Sequence, residues 1–320
     1  MILTVSTCQT NFSLNEFLPH IYLADMALNK ASFQTRAWTA LVFCLVMLGG
    51  LLIGPWTFFL LFSVIHFGCW VEFQKLVGKI DPEYKTITPF HKYGVMIAGW
   101  CIMLYFTNDA FTFLGIRLHA LGWWLGLSLA FLLPISELLF AKTIQLKNIG
   151  HSAFGLVYIS LSWALMIDLR VMFMGVEEGN ERVYVDTGWY IPLVLIAAMW
   201  INDTMAYLVG SWIGRTPFSK ISPKKTWEGT AGGAILSIVI ITIGMKLILP
   251  YSNIFNWIGI SAIASITGIM GDLLESKLKR LANVKDSGQI LPGHGGFLDR
   301  FDSLLLATPF VWIYVVFMMK

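Results

Sequence analysis

The sequence predicts an all-α polytopic membrane protein, a bundle of about nine transmembrane helices. Three observations carry that prediction. The chain is 57% hydrophobic with a mean hydropathy of +0.70, more than a soluble domain of 320 residues carries. Apolar runs close to membrane-spanning length recur along the whole chain. Lysines and arginines gather in every second loop, the pattern that the positive-inside rule requires of a multispan protein.

Residues 1–36 are mixed polar and have no apolar h-region ahead of a small-residue cleavage site, so they read as a cytoplasmic tail and not as a signal peptide, with Met26 as an alternative start. The candidate spans follow at 37–54, 56–72, 93–107, 119–140, 149–167, 189–213, 231–250, 254–271 and 303–319. Gly54-Pro55 makes a tight turn between the first two, and the third is short. Region 37–188 thus holds about five spans and an external loop, and region 189–320 holds the remaining spans with the charged segment in which a catalytic site is expected. The loop 170–188, with Glu177, Glu178, Glu181 and Asp186, reads as solvated and external. Cationic residues precede the first span (Lys30, Arg36) and follow the even ones, as in Lys75 to Lys92, Arg215 to Lys225 and Lys277 to Arg300. The opposite loops hold only Arg117, Arg170, Arg182 and Lys320. The N-terminus and the even loops are therefore expected in the cytoplasm. Cys44, Cys69 and Cys101 lie in apolar runs and Cys8 stands alone, which excludes a disulfide or zinc spacing.

Charge is concentrated between Gly271 and Asp302, in a chain that is only 13% charged. Basic groups suit phosphate, carboxylates suit a divalent cation, and glycines let backbone amides approach an anion. Asp272 ends the eighth span, with Ser276 at i+4 and Lys279 at i+7 on the same face. Asp299 and Asp302, at i and i+3, are expected to point into one site with Asp272 and to hold Mg²⁺. The loop Pro292-Gly293-His294-Gly295-Gly296 precedes the last helix and is expected to offer free amides to an anion. Asp203 lies about ten residues inside the sixth span, roughly 15 Å deep, where a carboxylate costs on the order of 2.5–3.5 kcal/mol. A cation, a partner or a wet cavity must offset that cost. Tyr207, Gly210 and Gly214 continue a small and polar stripe from it. Ser222, Lys224 and Lys225 at the mouth of the seventh span suit a polyphosphate, or equally a plain interfacial anchor. His20, His66, His91, His119 and His151 have no matching partners and read as interfacial or packing residues; Glu137 reads as snorkelling to the interface.

Two segments resemble the phosphatidate cytidylyltransferase (CDP-diacylglycerol synthase) family. The C-terminal signature is matched in spacing by Ser276, Lys279, Arg280, Lys285, Asp286, Gly288, Leu291, Pro292, His294, Gly295, Gly296, Asp299, Arg300 and Asp302. Upstream, Asp203-Thr204, Ala206-Tyr207, Gly210, Gly214 and the run from Ile221 to Gly229 look like the family's second block. The strong resemblance covers about the last 120 residues, and Ser211 stands where many members have Arg. It implies transfer of CMP from CTP to phosphatidate, giving CDP-diacylglycerol and pyrophosphate, in a bacterial inner or organellar membrane; a bacterial inner membrane with the site facing the cytoplasm is expected here. It also implies a homodimer and no nucleic-acid partner. By carry-over the catalytic set is Asp272, Asp299, Lys285, Asp286 and His294, with His294 expected to bind phosphate or shape its loop. Substrate contacts fall to Asp203, Tyr207, Ser222, Lys224, Lys225, Ser276, Lys277, Lys279, Arg280 and Arg300. Asp272, Asp299 and Asp302 take Mg²⁺, with a second, monovalent cation left open. Three other readings compete: a CTP-dependent lipid kinase, a cytidylyltransferase for another lipid phosphate, and a secondary transporter with Asp203 on its ion path. The last would need inverted repeats, and none is evident.

Overall fold

The computed structural model describes residues 30–109, 111–141, 145–172, 174–178, 181–186, 188–219, 221–290 and 295–319, with the side chains of 30–36 and 174–186 left aside. The expected tail, Met26 included, lies outside the described residues. Nine helices are present among them: α1 Lys30–Leu52, α2 Pro55–Ile80, α3 Pro89–Tyr105, α4 Leu118–Phe140, α5 Leu146–Val171, α6 Tyr190–Ile213, α7 Trp227–Ile248, α8 Ile254–Leu281 and α9 Leu298–Met318. Each coincides with one predicted span. All but α1 and α3 are long and apolar enough to cross a bilayer. Several outrun their apolar cores at the lysine-rich end. There α2 continues to Ile80 and α8 to Leu281, because long cationic side chains reach water without breaking the backbone ladder.

The turn at Gly54 forms as expected, with Pro55 at the first helical position of α2, where its missing N–H costs nothing. Thr88 caps α3 by accepting from the His91 amide at 3.1 Å, with Pro89 just inside. The loop expected after α5 is instead an antiparallel hairpin of β3 Met174–Glu178 and β4 Glu181–Asp186. A smaller one, β1 Thr112–Phe113 and β2 Ile116–Arg117, leads into α4. Period-2 pairing of such short polar strands leaves little hydrophobic signal to read.

Helix α5 is the centre of the N-terminal half: 67% of its apolar window is buried, against 6% for α4. A π-helical turn at Leu156–Leu161 interrupts it. There Ser160 accepts from the Trp70 indole at 2.8 Å and pairs with His66 at 3.0 Å. His91 and His151 correct the expectation of no partner in the same way, while His20 lies outside the described residues. His91 pairs with Ser152 at 2.8 Å and faces Glu137 at 3.4 Å, and His151 meets Asp81 at 3.2 Å. Glu137 does not snorkel. It is buried and accepts from Thr88 at 2.7 Å, because a polar group inside a bundle finds a partner before it finds water. Asp81, just past α2, binds Lys147 of α5 at 2.8 Å, and the hydrogen bond from Lys147 holds its carboxyl below the usual carboxylate range.

Small residues close the C-terminal half. A side chain at Gly229 would strike the Ala206 carbonyl at 2.7 Å, and one at Gly233 the Asn202 carbonyl at 2.7 Å, so α6 and α7 touch backbone to backbone. Gly210 and Gly214 face Thr226 and Gly229 in this contact. The stripe running from Asp203 is thus partly a packing surface.

Candidate active site

The loop between α6 and α7 folds back on itself. Phe218 donates to the Lys225 carbonyl at 2.8 Å and Trp227 to the Thr216 carbonyl at 2.9 Å, with Pro217 and Thr226 paired as an isolated bridge. Glu228 fastens the turn by accepting from the amides of Arg215 and Thr216 at 3.2 Å each and from the Thr216 hydroxyl at 2.9 Å. Ser222 contributes its carbonyl to the turn, accepting from the Lys225 amide at 3.1 Å. The fold-back turns Lys225 inward, where its ammonium pairs with Asp272 of α8. Lys224 remains exposed.

Asp272 belongs to a group of four carboxylates. Asp302 of α9 is buried and feels the charges of Asp272, Glu275 and Asp203, while its own oxygen accepts from the Ser303 amide at 2.6 Å. Asp203 also feels Lys225 and Arg300. Its residue lies on an outward-facing part of α6, as does Tyr207, which is 75% exposed. A cavity of about 100 Å³ opens beside Asp203, Asp299, Arg300 and Asp302, walled by Phe43, Met199 and Trp200.

Asp299 joins this group through Lys279, which pairs with both it and Glu275. Its Oδ1 accepts from Lys279 Nζ at 2.7 Å, and its Oδ2 from the Ser287 amide at 2.8 Å, the Ser287 hydroxyl at 2.9 Å and the Gly296 amide at 2.9 Å. Lys279 also pairs with Glu275 one turn before it on α8. Asp299 and Asp302 thus border the same cavity but keep different partners: Asp302 accepts from the Ser303 amide, while Asp299 reaches back over the start of α9 to a lysine, a hydroxyl and two amides. Among the described residues, no three His, Cys, Asp or Glu side chains form a ready metal cage.

Of the loop amides expected to be free for an anion, that of Gly296 is already taken, and so are the next two. Phe297 and Leu298 donate to Glu72 of α2 at 3.0 and 2.9 Å, and Gly296 to Asp299. A helix N-terminus attracts a carboxylate for the same reason that it attracts phosphate. Gly295 has φ +82°, the left-handed turn that lets the loop enter α9. His294, Leu291, Pro292 and Gly293 lie outside the described residues. Lys277, Arg280, Lys285 and Asp286 are exposed, and Ser276 is half-buried. Of these, Arg280 donates to the Val284 carbonyl at 3.4 Å and closes the end of α8.

Three residues of this arrangement escape the sequence reading: Glu72, Glu275 and Ser287. Glu72 carries a weaker signal, an acid at the very end of an apolar run, to which only part of the cost argued for Asp203 applies. Glu275 is one turn from both Asp272 and Lys279, again a readable spacing. Ser287 carries no signal beyond its place beside Gly288.

A bundle with such a lysine–carboxylate site at the ends of its last four helices defines the class, and comparison with known proteins names it. Residues 34–318 match the Cytidylyltransferase family, and the chain belongs to that family. It is similar to the phosphatidate cytidylyltransferase of Bacillus subtilis, 38% identical over 185 residues, which covers 55% of this chain and 63% of that protein. The Synechocystis phosphatidate cytidylyltransferase is 42% identical over 134 residues, 42% of this chain and 45% of that one. Phosphatidate cytidylyltransferase 4, chloroplastic, of Arabidopsis thaliana is 31% identical over 199 residues, 59% of this chain and 51% of the relative. The matched stretches thus span roughly half to just under two thirds of those relatives' own length.

Proposed function

We propose that the chain is a CTP:phosphatidate cytidylyltransferase, transferring CMP from CTP to phosphatidate to give CDP-diacylglycerol and pyrophosphate for phospholipid synthesis. The observation that carries this reading is the joining of Lys225 and Asp272, with Asp203 and Asp302 around them, inside the region matched by the family. The names of the relatives support the substrates.

The chemistry suits these groups. A phosphate monoester at pH 7 is already a nucleophile, so no general base is required. Its oxygen bonds to the α-phosphorus of CTP as the bond to the bridging oxygen breaks, and pyrophosphate leaves with that electron pair. Lys225 and Arg300 would meet the negative charge of the polyphosphate, in a site where fixed cations count for more than in water. The donor set also fits a hard divalent cation. Asp203, Asp272, Glu275 and Asp302 outnumber Lys225 and Lys279, their nearest ammonium partners, and carboxylate oxygen is the ligand that Mg²⁺ prefers. Asp272 and Asp302, with Asp203 beside them, would hold it, and Asp299 would orient its surroundings through Lys279. When bound, the ion would neutralise triphosphate oxygens.

The proposal includes a site facing the cytoplasm, since the lysine-rich loops lie at the same end of the bundle, and a bacterial inner-membrane location. It also includes a homodimer, in which an outward-facing Asp203 would be shielded from lipid. Release of pyrophosphate from CTP, measured with the purified protein, tests the reading: it should require added phosphatidate. Release of CDP instead would mark a lipid kinase.

A further inference from the structure

Glu72 is the least exposed carboxylate of the N-terminal half, 1% accessible, and it takes no part in the mechanism above. It stands on α2, yet its hydrogen-bond partners all lie more than two hundred residues away. Its Oε1 accepts from the Phe297 amide at 3.0 Å; its Oε2 accepts from the Leu298 amide at 2.9 Å and the Ser287 hydroxyl at 2.8 Å. The amides at the start of a helix have no partner within it, so Glu72 caps α9 from another helix. The neighbouring residues are cut to fit this carboxylate. Gly288 and Gly296 both press against it so closely that a Cβ on either would overlap its oxygens. Gly68, one turn earlier on the same face of α2, makes room for the Phe297 ring.

The Ser287 hydroxyl is also 2.9 Å from Asp299 Oδ2. It has one proton to give and lies between two carboxylates, so the positions of Glu72 and Asp299 are coupled through it. Asp299 in turn holds Lys279.

We propose that Glu72 is a positioning residue for the transfer reaction. It fixes the first turn of α9 and, through Ser287, the Asp299 carboxylate. It thereby sets where Arg300 and Asp302, one residue and one turn further on, stand at the reacting phosphates. The inference rests on the cytidylyltransferase reading of the site. It gives the N-terminal half a defined task in the chemistry.

The test is Glu72→Gln, which keeps the size but sets an amide donor against donors. Turnover per folded protein should fall about tenfold or more, while KM for CTP moves less than about threefold and the melting midpoint in detergent stays near the parent's. Amide exchange over residues 295–300 should accelerate about tenfold or more, with the rest of α9 unchanged. Ser287→Ala, which keeps both carboxylates and removes the shared proton, should lower kcat by a smaller factor, and it serves as the kinetic test if Glu72→Gln does not accumulate. Parental kcat in the folded variant, or unchanged exchange at the start of α9, overturns the proposal. So does a loss of activity that only tracks the folded fraction. If the parent itself does not turn over CTP and phosphatidate, the functional reading fails, and the exchange measurement still decides whether Glu72 holds the helix.

Discussion

The two halves of this bundle are packed on different terms. In α1 to α5 the fully buried side chains are large: Phe58, Phe62, Trp70, Phe73 and Trp163, clustered around the central α5. In α6 to α9 small or hydroxylated residues such as Ser261, Ala264, Ser265, Ala307 and Thr308 share the buried positions with aliphatic ones such as Leu195, Ile260 and Leu305, and charges are admitted at the lysine-rich end. Aromatic bulk gives a rigid frame in which a π turn and a few polar pairs are tolerated. Small residues let helix backbones approach closely, so that short acidic side chains from neighbouring helices meet. The difference teaches that the charged site is held by the apolar half: the frame reaches into the site with Glu72, and the site half closes around that carboxylate with glycine.

The largest effect should come from the site half. Asp272→Asn keeps size and removes a charge that faces Lys225, so activity should fall on the order of a hundredfold at equal membrane abundance. Near-normal turnover would remove Asp272 from the chemistry. At the seam between the halves, Gly296→Ala drives a methyl into Glu72, and overpacking of this kind costs about 1–3 kcal/mol. A drop in melting midpoint that Glu72→Ala partly reverses would confirm the contact, and independent, additive effects would deny it.

Within the frame, Asp81→Asn should have a smaller, pH-dependent effect. The hydrogen bond from Lys147 depresses the folded-state pKa of Asp81. Its stabilisation is therefore present above the unfolded value of about 3.9 and is lost as pH falls through the folded value. Melting curves of parent and variant should differ at pH 7 and converge in acid; a difference that persists in acid contradicts the pairing. The smallest effect belongs to α4. Phe131 is 65% exposed there, so Phe131→Ala should change stability by less than about 0.5 kcal/mol. A large loss would show that α4 is covered by something other than lipid.

How much was legible follows the same division. The nine spans, the mixed segment from Gly271 to Asp302 and the anomaly of a carboxylate at Asp203 can be read because charge in an apolar chain is conspicuous. The pairing of Lys225 with Asp272 cannot, since it depends on the fold-back of residues 214–226. The different partners of Asp299 and Asp302 are also hidden: i, i+3 spacing fixes a helix face but not which donors compete for each carboxylate. Glu72 illustrates the remaining gap. Its anomaly is visible in sequence, but its partners are more than two hundred residues away, and only the packing of α2 against α9 reveals them.

The central claim is that the lysine–carboxylate site transfers a cytidylyl group to a lipid phosphate. The mass of the lipid product formed by the purified protein from CTP and phosphatidate tests it most directly. The expected product is CDP-diacylglycerol, formed by the parent and lost in Asp272→Asn. A phosphorylated lipid lacking the nucleoside, or unmodified phosphatidate from an intact parent protein, would contradict it.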